Sequence, residues 1–212
     1  MRQFITPSRS AFSRALSSAP PGRRPLEGYR VLELGQLVAG PYCGTILGYF
    51  GAEVIKIEPL AGDPLRTWRE LDDDGTSPWF RSVGRNKRSV ALNLKSEEAR
   101  NVVRRLVATS DVLIENFKPG TMEKWGLGPD DLRATNPSLV YTRISGYGQT
   151  GPLSSKPGFA SACEAFGGFR HVNGFADRPS VSATHLSICL SICPFIYLSV
   201  YLSIHPSIHP CV

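Results

Sequence analysis

The chain lacks the glycine-rich turn Gly-x-Gly-x-x-Gly after its first predicted strand, and it has no Gly-x-x-x-x-Gly-Lys-Ser/Thr loop. Dinucleotide and P-loop nucleotide chemistry therefore have no fingerprint here. Its five cysteines (Cys43, Cys163, Cys189, Cys193, Cys211) show no paired zinc spacing. Their odd number and wide spread point to a reducing compartment, with Cys43 and Cys163 read as small apolar packing residues. The first 26 residues contain no acid, and no charged residue follows Arg178. That first segment also has no unbroken apolar run of the kind a secretory signal needs.

What the first segment does hold is arginine. Arg2, Arg9, Arg14, Arg23 and Arg24 lie among Ser, Ala and Pro, with scattered Phe4, Ile5, Phe12 and Leu16. This is the composition of an organelle transit peptide, and mitochondrial import is expected. The segment also explains the formal charge of +6 over 212 residues. Without it the remainder is almost neutral, so a nucleic-acid role has no electrostatic support.

Residues 27–182 alternate short apolar runs with helical patterns. Tyr29–Leu34 reads as a strand. Gln36–Glu58 then gives a loop at Gly40-Pro41, a short helix closed by Gly51, and a strand at Val54–Ile57. A loop opening onto a helix beside strand ends is a ligand site in α/β proteins. Pro59–Gly75 reads as a polar loop, and its run Asp72-Asp73-Asp74 as a solvated turn rather than a cation site, because adjacent carboxylates do not converge on one ion. Trp79, Phe80 and Val83 mark a short amphipathic piece, and Gly84–Arg88 a basic turn. Ser89–Leu94 alternates as a strand. In Lys95–Thr109, Val102, Val103, Leu106 and Val107 share one helical face. Asp111–Glu115 is a strand. Gly128-Pro129-Asp130-Asp131 starts a helix that Pro137 ends. Leu139–Ile144 is a last strand before the glycine-rich loop 146–152. This order predicts an α/β fold, Rossmann-like, with a mainly parallel sheet and helices on both faces.

From about Ala183 the text becomes a four-residue repeat, Leu-Ser-Ile followed by Cys, Tyr or His. A four-base DNA repeat such as ATCT, read in triplets, encodes Ile-Tyr-Leu-Ser. Single base changes give the His, Cys and Pro variants. Residues 183–212 are thus expected to be a translated low-complexity tail. The apolar stretch Leu186–Ile204 is just long enough for a membrane span, but Pro194, many serines and the lack of basic flanks argue against one. The repeat accounts for the spacing of His205, His209 and the nearby cysteines without a metal role, so no metal site is expected.

Residues 27 to about 182 resemble the class III CoA-transferases, the CaiB/BaiF family. The resemblance rests on ordered motifs: Pro25-Leu26-Glu27-Gly28, Ala39-Gly40-Pro41, Gly51–Glu58, Gly62-Asp63, Asn86-Lys87-Arg88-Ser89, Glu115–Gly120, Gly126-Leu127-Gly128 and Gly146–Pro152. It implies a large domain of which 27–182 is the N-terminal part, a smaller second domain, and two subunits interlocked as a homodimer. Coenzyme A or acyl-CoA would be the substrate, with a small carboxylic acid as partner and no permanently bound cofactor. By position, the resemblance assigns Val38, Ala39, Leu92, Asn93, Lys95, Asn116, Phe117, Lys118 and Lys124 to CoA binding. Lys124 stands where the family often has Arg, giving charge but no bidentate fork.

The family's nucleophile is an Asp that attacks the acyl-CoA thioester, passing through a mixed anhydride to an aspartyl-CoA thioester. It lies about a dozen residues beyond a Gly-Phe-x-Asp-x-Pro segment, here Gly174–Pro179. That count reaches the neighbourhood of Cys189, and no Asp or Glu follows Asp177. No catalytic residue is therefore assigned; Glu164 and Asp177 are nearby carboxylates off the expected position. The expectation is a truncated, inactive form of a CoA-transferase acting on a dicarboxylate such as succinate, oxalate or glutarate. An acyl-CoA racemase of the same family and a non-catalytic CoA-binding fragment are the alternatives.

Overall fold

A computed structural model describes residues 24–172 and Asp177. The first segment up to residue 23, the Gly174–Pro179 motif apart from Asp177, and the whole repeat tail lie outside the described residues.

Among the described residues five short strands form one sheet: β1 (Arg30–Glu33), β2 (Glu53–Glu58), β3 (Lys87–Ala91), β4 (Val112–Glu115) and β5 (Val140–Arg143). Their spatial order is β3-β2-β1-β4-β5, and every pairing is parallel. Val31 sits between Val54 and Val112, and Leu32 between Ile55 and Leu113. The chain thus runs outward from β1 to β3, then returns to add β4 and β5 on the other side. The order reverses between β1 and β4, which opens a crevice at the C-terminal ends of those strands.

Both faces are covered. Leu32, Leu34, Leu113 and Tyr141 point to one face, where they pack with Val103, Val107, Met122, Leu127 and Leu132. Val31, Val54 and Ile114 point to the other and meet Cys43. Period-two alternation along each strand produces this split. The helix α3 (Glu97–Val107) follows α1 (Ala39–Tyr49) and α2 (Pro78–Val83) in sequence. Ser96 caps α3 by accepting from the Ala99 amide at 3.2 Å. Glu97 and Glu98 occupy its first turn and Arg104 and Arg105 its last, matching the helix dipole. Then come α4 (Thr121–Lys124), α5 (Pro129–Thr135), α6 (Ala160–Phe166) and α7 (Phe169–Val172). Asp131 accepts from the Gly128 amide at 3.1 Å and so closes the start of α5.

Helix α1 is glycine-rich for a packing reason. Gly40, Gly44 and Gly48 recur every four residues and are all buried. A β-carbon on Gly44 or Gly48 would touch a Val54 methyl at 3.5 Å. The stripe lets the helix backbone lie close over β1 and β2, which offsets the weak helix propensity of glycine.

The structure adjusts several boundaries. Helix α1 begins at Ala39, so Gly40-Pro41 lies inside its first turn rather than ahead of it. The polar loop after β2 contains a 3-10 turn at Pro64–Thr67, capped by Asp63. The basic turn expected at Gly84–Arg88 is cut short, because Lys87 and Arg88 already belong to β3. The Asp72–Asp74 run is exposed, and Arg81 pairs with Asp72 and Asp74 at 3.3 and 2.6 Å.

Candidate functional site

Two structures meet at the C-terminal edge of the sheet: a buried ionic cluster and an open apolar pocket.

The cluster begins on the strands. Glu33 ends β1 and is fully buried; Lys56 in β2 and the Lys87 side chain in β3 are also buried. Glu33 Oε1 is 2.9 Å from Lys56 Nζ, and Glu33 Oε2 is 2.7 Å from Lys87 Nζ. Lys56 also reaches buried Asp63 at 2.8 Å. Two anions and two cations thus neutralise one another inside the protein, which burial requires. Burial lowers the Lys87 pKa, and the Glu33 charge beside it opposes that shift. Gly44 faces the same carboxylate: a β-carbon there would overlap Glu33 Oε2 and lie 3.1 Å from its Cδ.

Next to this lies buried Glu58 at the end of β2. It accepts from Arg66 Nε and Nη2 at 2.7 and 2.8 Å, Ser89 Oγ at 2.7 Å and the Asp63 amide at 2.8 Å. Burial alone would raise its pKa, but the Arg66, Ser89 and backbone hydrogen bonds outweigh it and hold the carboxyl at about 2. On the other side of β1, Glu115 takes the Phe117 amide at 2.7 Å and Arg143 at 3.0 Å. Burial is the stronger influence there and raises the Glu115 pKa.

Apart from the Leu65 amide that Asp63 Oδ1 caps at 2.8 Å, the cluster's other hydrogen bonds go to the segment after β1. Lys56 Nζ donates to the Gly35 carbonyl at 2.8 Å, and Lys87 Nζ to the Pro41 carbonyl at 2.5 Å. Asp63 Oδ1 accepts from the Leu37 amide at 3.1 Å. Asn116, beyond β4, reaches across the crevice and takes the Gln36 amide at 2.8 Å while donating to its carbonyl at 2.9 Å. Leu37 is held at φ 61°, a left-handed conformation that is unfavourable for a side-chain-bearing residue.

The pocket has a volume of about 270 Å³. Leu34 and Gln36 line it after β1, Ile57 to Leu60 from the end of β2 onward, Leu92 to Lys95 after β3, and Phe117 and Trp125 after β4. Phe117 and Trp125 meet edge-to-face with ring centres 5.3 Å apart. Asn93 shapes the turn by accepting from the Lys95 amide at 3.2 Å. The lining is mostly apolar, with the Glu58 carboxylate beside it, and among the described residues that line it the one cation is Lys95, which is exposed. Such a pocket can take a flat heterocycle, with an anionic substituent reaching Lys95.

Of the residues named from sequence, Leu92, Asn93, Lys95 and Phe117 come together in this pocket. Val38 and Ala39 do not line it; they form the half-buried start of α1. Asn116 spends its amide on the Gln36 backbone. Lys118 and Lys124 are exposed and also lie off the pocket wall. Glu164 is buried, with Arg170 at 3.4 Å. Sequence reasoning missed the cluster. Part of its signal was present, as Lys56 inside the apolar strand Val54–Ile57 and as the Gly62-Asp63 pair, whereas Lys87 read as part of a basic turn.

A second group was also missed. Trp68 and Trp79 stack edge-on at 6.0 Å, with the Arg69 guanidinium 5.4 and 5.7 Å from the two rings. Among the described residues, no group of three His, Cys, Asp or Glu could hold a metal ion, and no helix is long and apolar enough to cross a membrane.

A parallel sheet with reversed strand order, and a pocket at the carboxyl ends of its strands, define an open α/β domain of the doubly wound type. The chain belongs to CoA-transferase family III, whose sequence profile matches residues 26–195. That match runs past residue 182 into the first part of the repeat. The succinyl-CoA–D-citramalate CoA-transferase of Chloroflexus aurantiacus is 51% identical over 164 residues, covering 77% of this chain and 40% of that protein. Human succinyl-CoA:glutarate CoA-transferase is 41% identical over 169 residues, covering 77% of this chain and 39% of that protein. A solved CaiB/BaiF family protein from Brucella suis superposes with a TM-score of 0.76 at 36% identity, covering 87% of this chain and 51% of that one. The chain thus spans about two fifths of the length of the curated relatives it matches.

Proposed function

We propose that the protein this chain represents transfers CoA from an acyl-CoA donor to a carboxylic acid, with a dicarboxylate such as succinate or glutarate as one partner. The observation that carries this is the apolar pocket at the strand ends, with Lys95 at its rim, in a chain whose relatives are succinyl-CoA transferases. The adenine of CoA would enter among Leu92, Asn93 and Phe117, and Lys95 would meet phosphate. Lys118 and Lys124 are exposed cations on the segment after β4, where the extended diphosphate would run. Val38 and Ala39 would meet the ligand from the loop at the start of α1.

The acyl-transfer step needs a carboxylate that attacks the thioester carbonyl and expels CoA thiolate. Residues 178–212 hold no Asp or Glu. These 212 residues on their own are therefore read as a CoA-binding unit without turnover, with domains at 1–26, 27–182 and 183–212. The Arg-rich first segment supports mitochondrial import of the parent. An interlocked homodimer is the parent's proposed assembly, and a racemase reading has no observation in its favour here. Purified chain incubated with succinyl-CoA and glutarate tests the proposal: bound CoA with no glutaryl-CoA is expected. Steady formation of glutaryl-CoA would refute the inactive reading, and failure to bind CoA would refute the family site.

A further inference from the structure

We propose that the buried Glu33, Lys56, Lys87 and Asp63 cluster is a positioning device that sets the Gly35–Pro41 loop in its ligand-receiving shape. The inference rests on the reading of that loop as CoA-facing.

Three observations carry it. First, the cluster is neutral and buried, yet its charges do not close on themselves. Lys56 reaches the Gly35 carbonyl, Lys87 the Pro41 carbonyl, and Asp63 the Leu37 amide. Each of these bonds lands on the backbone of one seven-residue segment, at its start, middle and end, the last three residues being the first turn of α1. Second, that loop contains a strained residue. Leu37 at φ 61° persists only where its surroundings hold it more firmly than its own preference resists. The Asp63 bond to the Leu37 amide supplies that hold. Third, the cluster draws on β1, β2, β3 and the turn after β2, so the loop's geometry is tied to the rigid sheet rather than to solvent. The carbonyls the lysines reach, Gly35 and Pro41, are themselves buried, so the cluster holds both ends of the segment from beneath, while Gln36 between them lines the pocket. Lys87 and Asp63 are thus positioning residues: they touch no ligand and act through the loop backbone.

The test uses hydrogen exchange and calorimetry on the full chain. Lys87→Met keeps the side chain's length and removes the donor to Pro41. Glu33→Gln with Lys87→Met removes the same donor while keeping the cluster neutral. In both, backbone exchange across residues 36–42 should quicken about tenfold, the loss expected for a charged hydrogen bond. Exchange at Leu113 in the sheet centre should keep its wild-type rate, and the Kd for CoA should rise about tenfold. Unchanged loop exchange in a folded variant would overturn the proposal. So would exchange that quickens equally in loop and sheet centre in both variants, because the cluster would then be a general stabiliser. If wild-type chain binds no CoA, the family-site reading fails, while the loop exchange still decides whether the cluster holds the loop.

Discussion

Replacing Gly44 by alanine sets two effects of opposite sign against each other. On helix propensity alone the change in α1 should stabilise the protein by about 1 kcal/mol. The structure says otherwise. The new methyl would overlap Glu33 Oε2, the oxygen that meets Lys87. Glu33 is fully buried and cannot swing to solvent, so it must leave one of its lysines. Leaving a charge uncompensated in a protein interior costs about 3–5 kcal/mol. Subtracting the propensity gain leaves a net loss of about 2–4 kcal/mol. Urea denaturation at neutral pH measures it as a lower midpoint at unchanged slope. A double-mutant cycle makes the cause specific. Glu33→Ala removes the colliding carboxylate, so Gly44→Ala should cost far less in that background, with a coupling of about 2 kcal/mol. A Gly44→Ala protein as stable as wild type, or equal losses in both backgrounds, would refute the reasoning.

The Glu58 carboxyl titrates at about 2 in the folded state against an ordinary value of 4.5, so its hydrogen bonds contribute fully above pH 4.5 and are lost as pH falls toward 2. Stability should drop by about 3 kcal/mol across that window, and Glu58→Gln should flatten the acid limb of the profile. Tyr141→Phe removes the hydroxyl that donates to the Leu127 carbonyl at 2.9 Å in the core. It should cost about 1–3 kcal/mol in the same denaturation assay, because that carbonyl is left without its donor. Lys95→Ala should weaken CoA binding about five- to tenfold by calorimetry and reduce its salt dependence, while leaving urea stability unchanged, since Lys95 is exposed.

The sheet was legible because its strands obey simple rules. Val31, Leu32 and Leu34, or Leu113 and Ile114, are apolar runs buried on both faces, and short runs separated by helical patterns force parallel pairing. The helix at Glu97–Val107 was legible from the apolar face of Val102, Val103, Leu106 and Val107, and it lies within the Lys95–Thr109 range read from that pattern. The pocket residues after β3 and β4 came from family position, because Leu92 and Asn93 carry no local mark of a site. The cluster was hidden for a physical reason. Lys56 and Lys87 look like solvated charges in a one-dimensional reading, since their shared partner Glu33 is distant in sequence and meets them only once β1, β2 and β3 lie side by side, and Asp63 reaches Lys56 only after the turn following β2 folds back. The glycine stripe of α1 was hidden likewise. Gly44 resembles a helix weakener until the carboxylate that occupies its missing side chain is seen.

The central claim is that this chain holds CoA at the carboxyl edge of its sheet, in the pocket lined by Leu92, Asn93, Lys95 and Phe117. Calorimetric titration of CoA into the purified chain, repeated with Phe117→Ala, tests it most directly. The account predicts a saturable one-to-one isotherm for the wild type and a Kd raised about tenfold or more once the aromatic wall is gone, the loss expected from removing a ring that stacks on a base. An isotherm without saturation at millimolar CoA, or equal affinity in the two proteins, would contradict it.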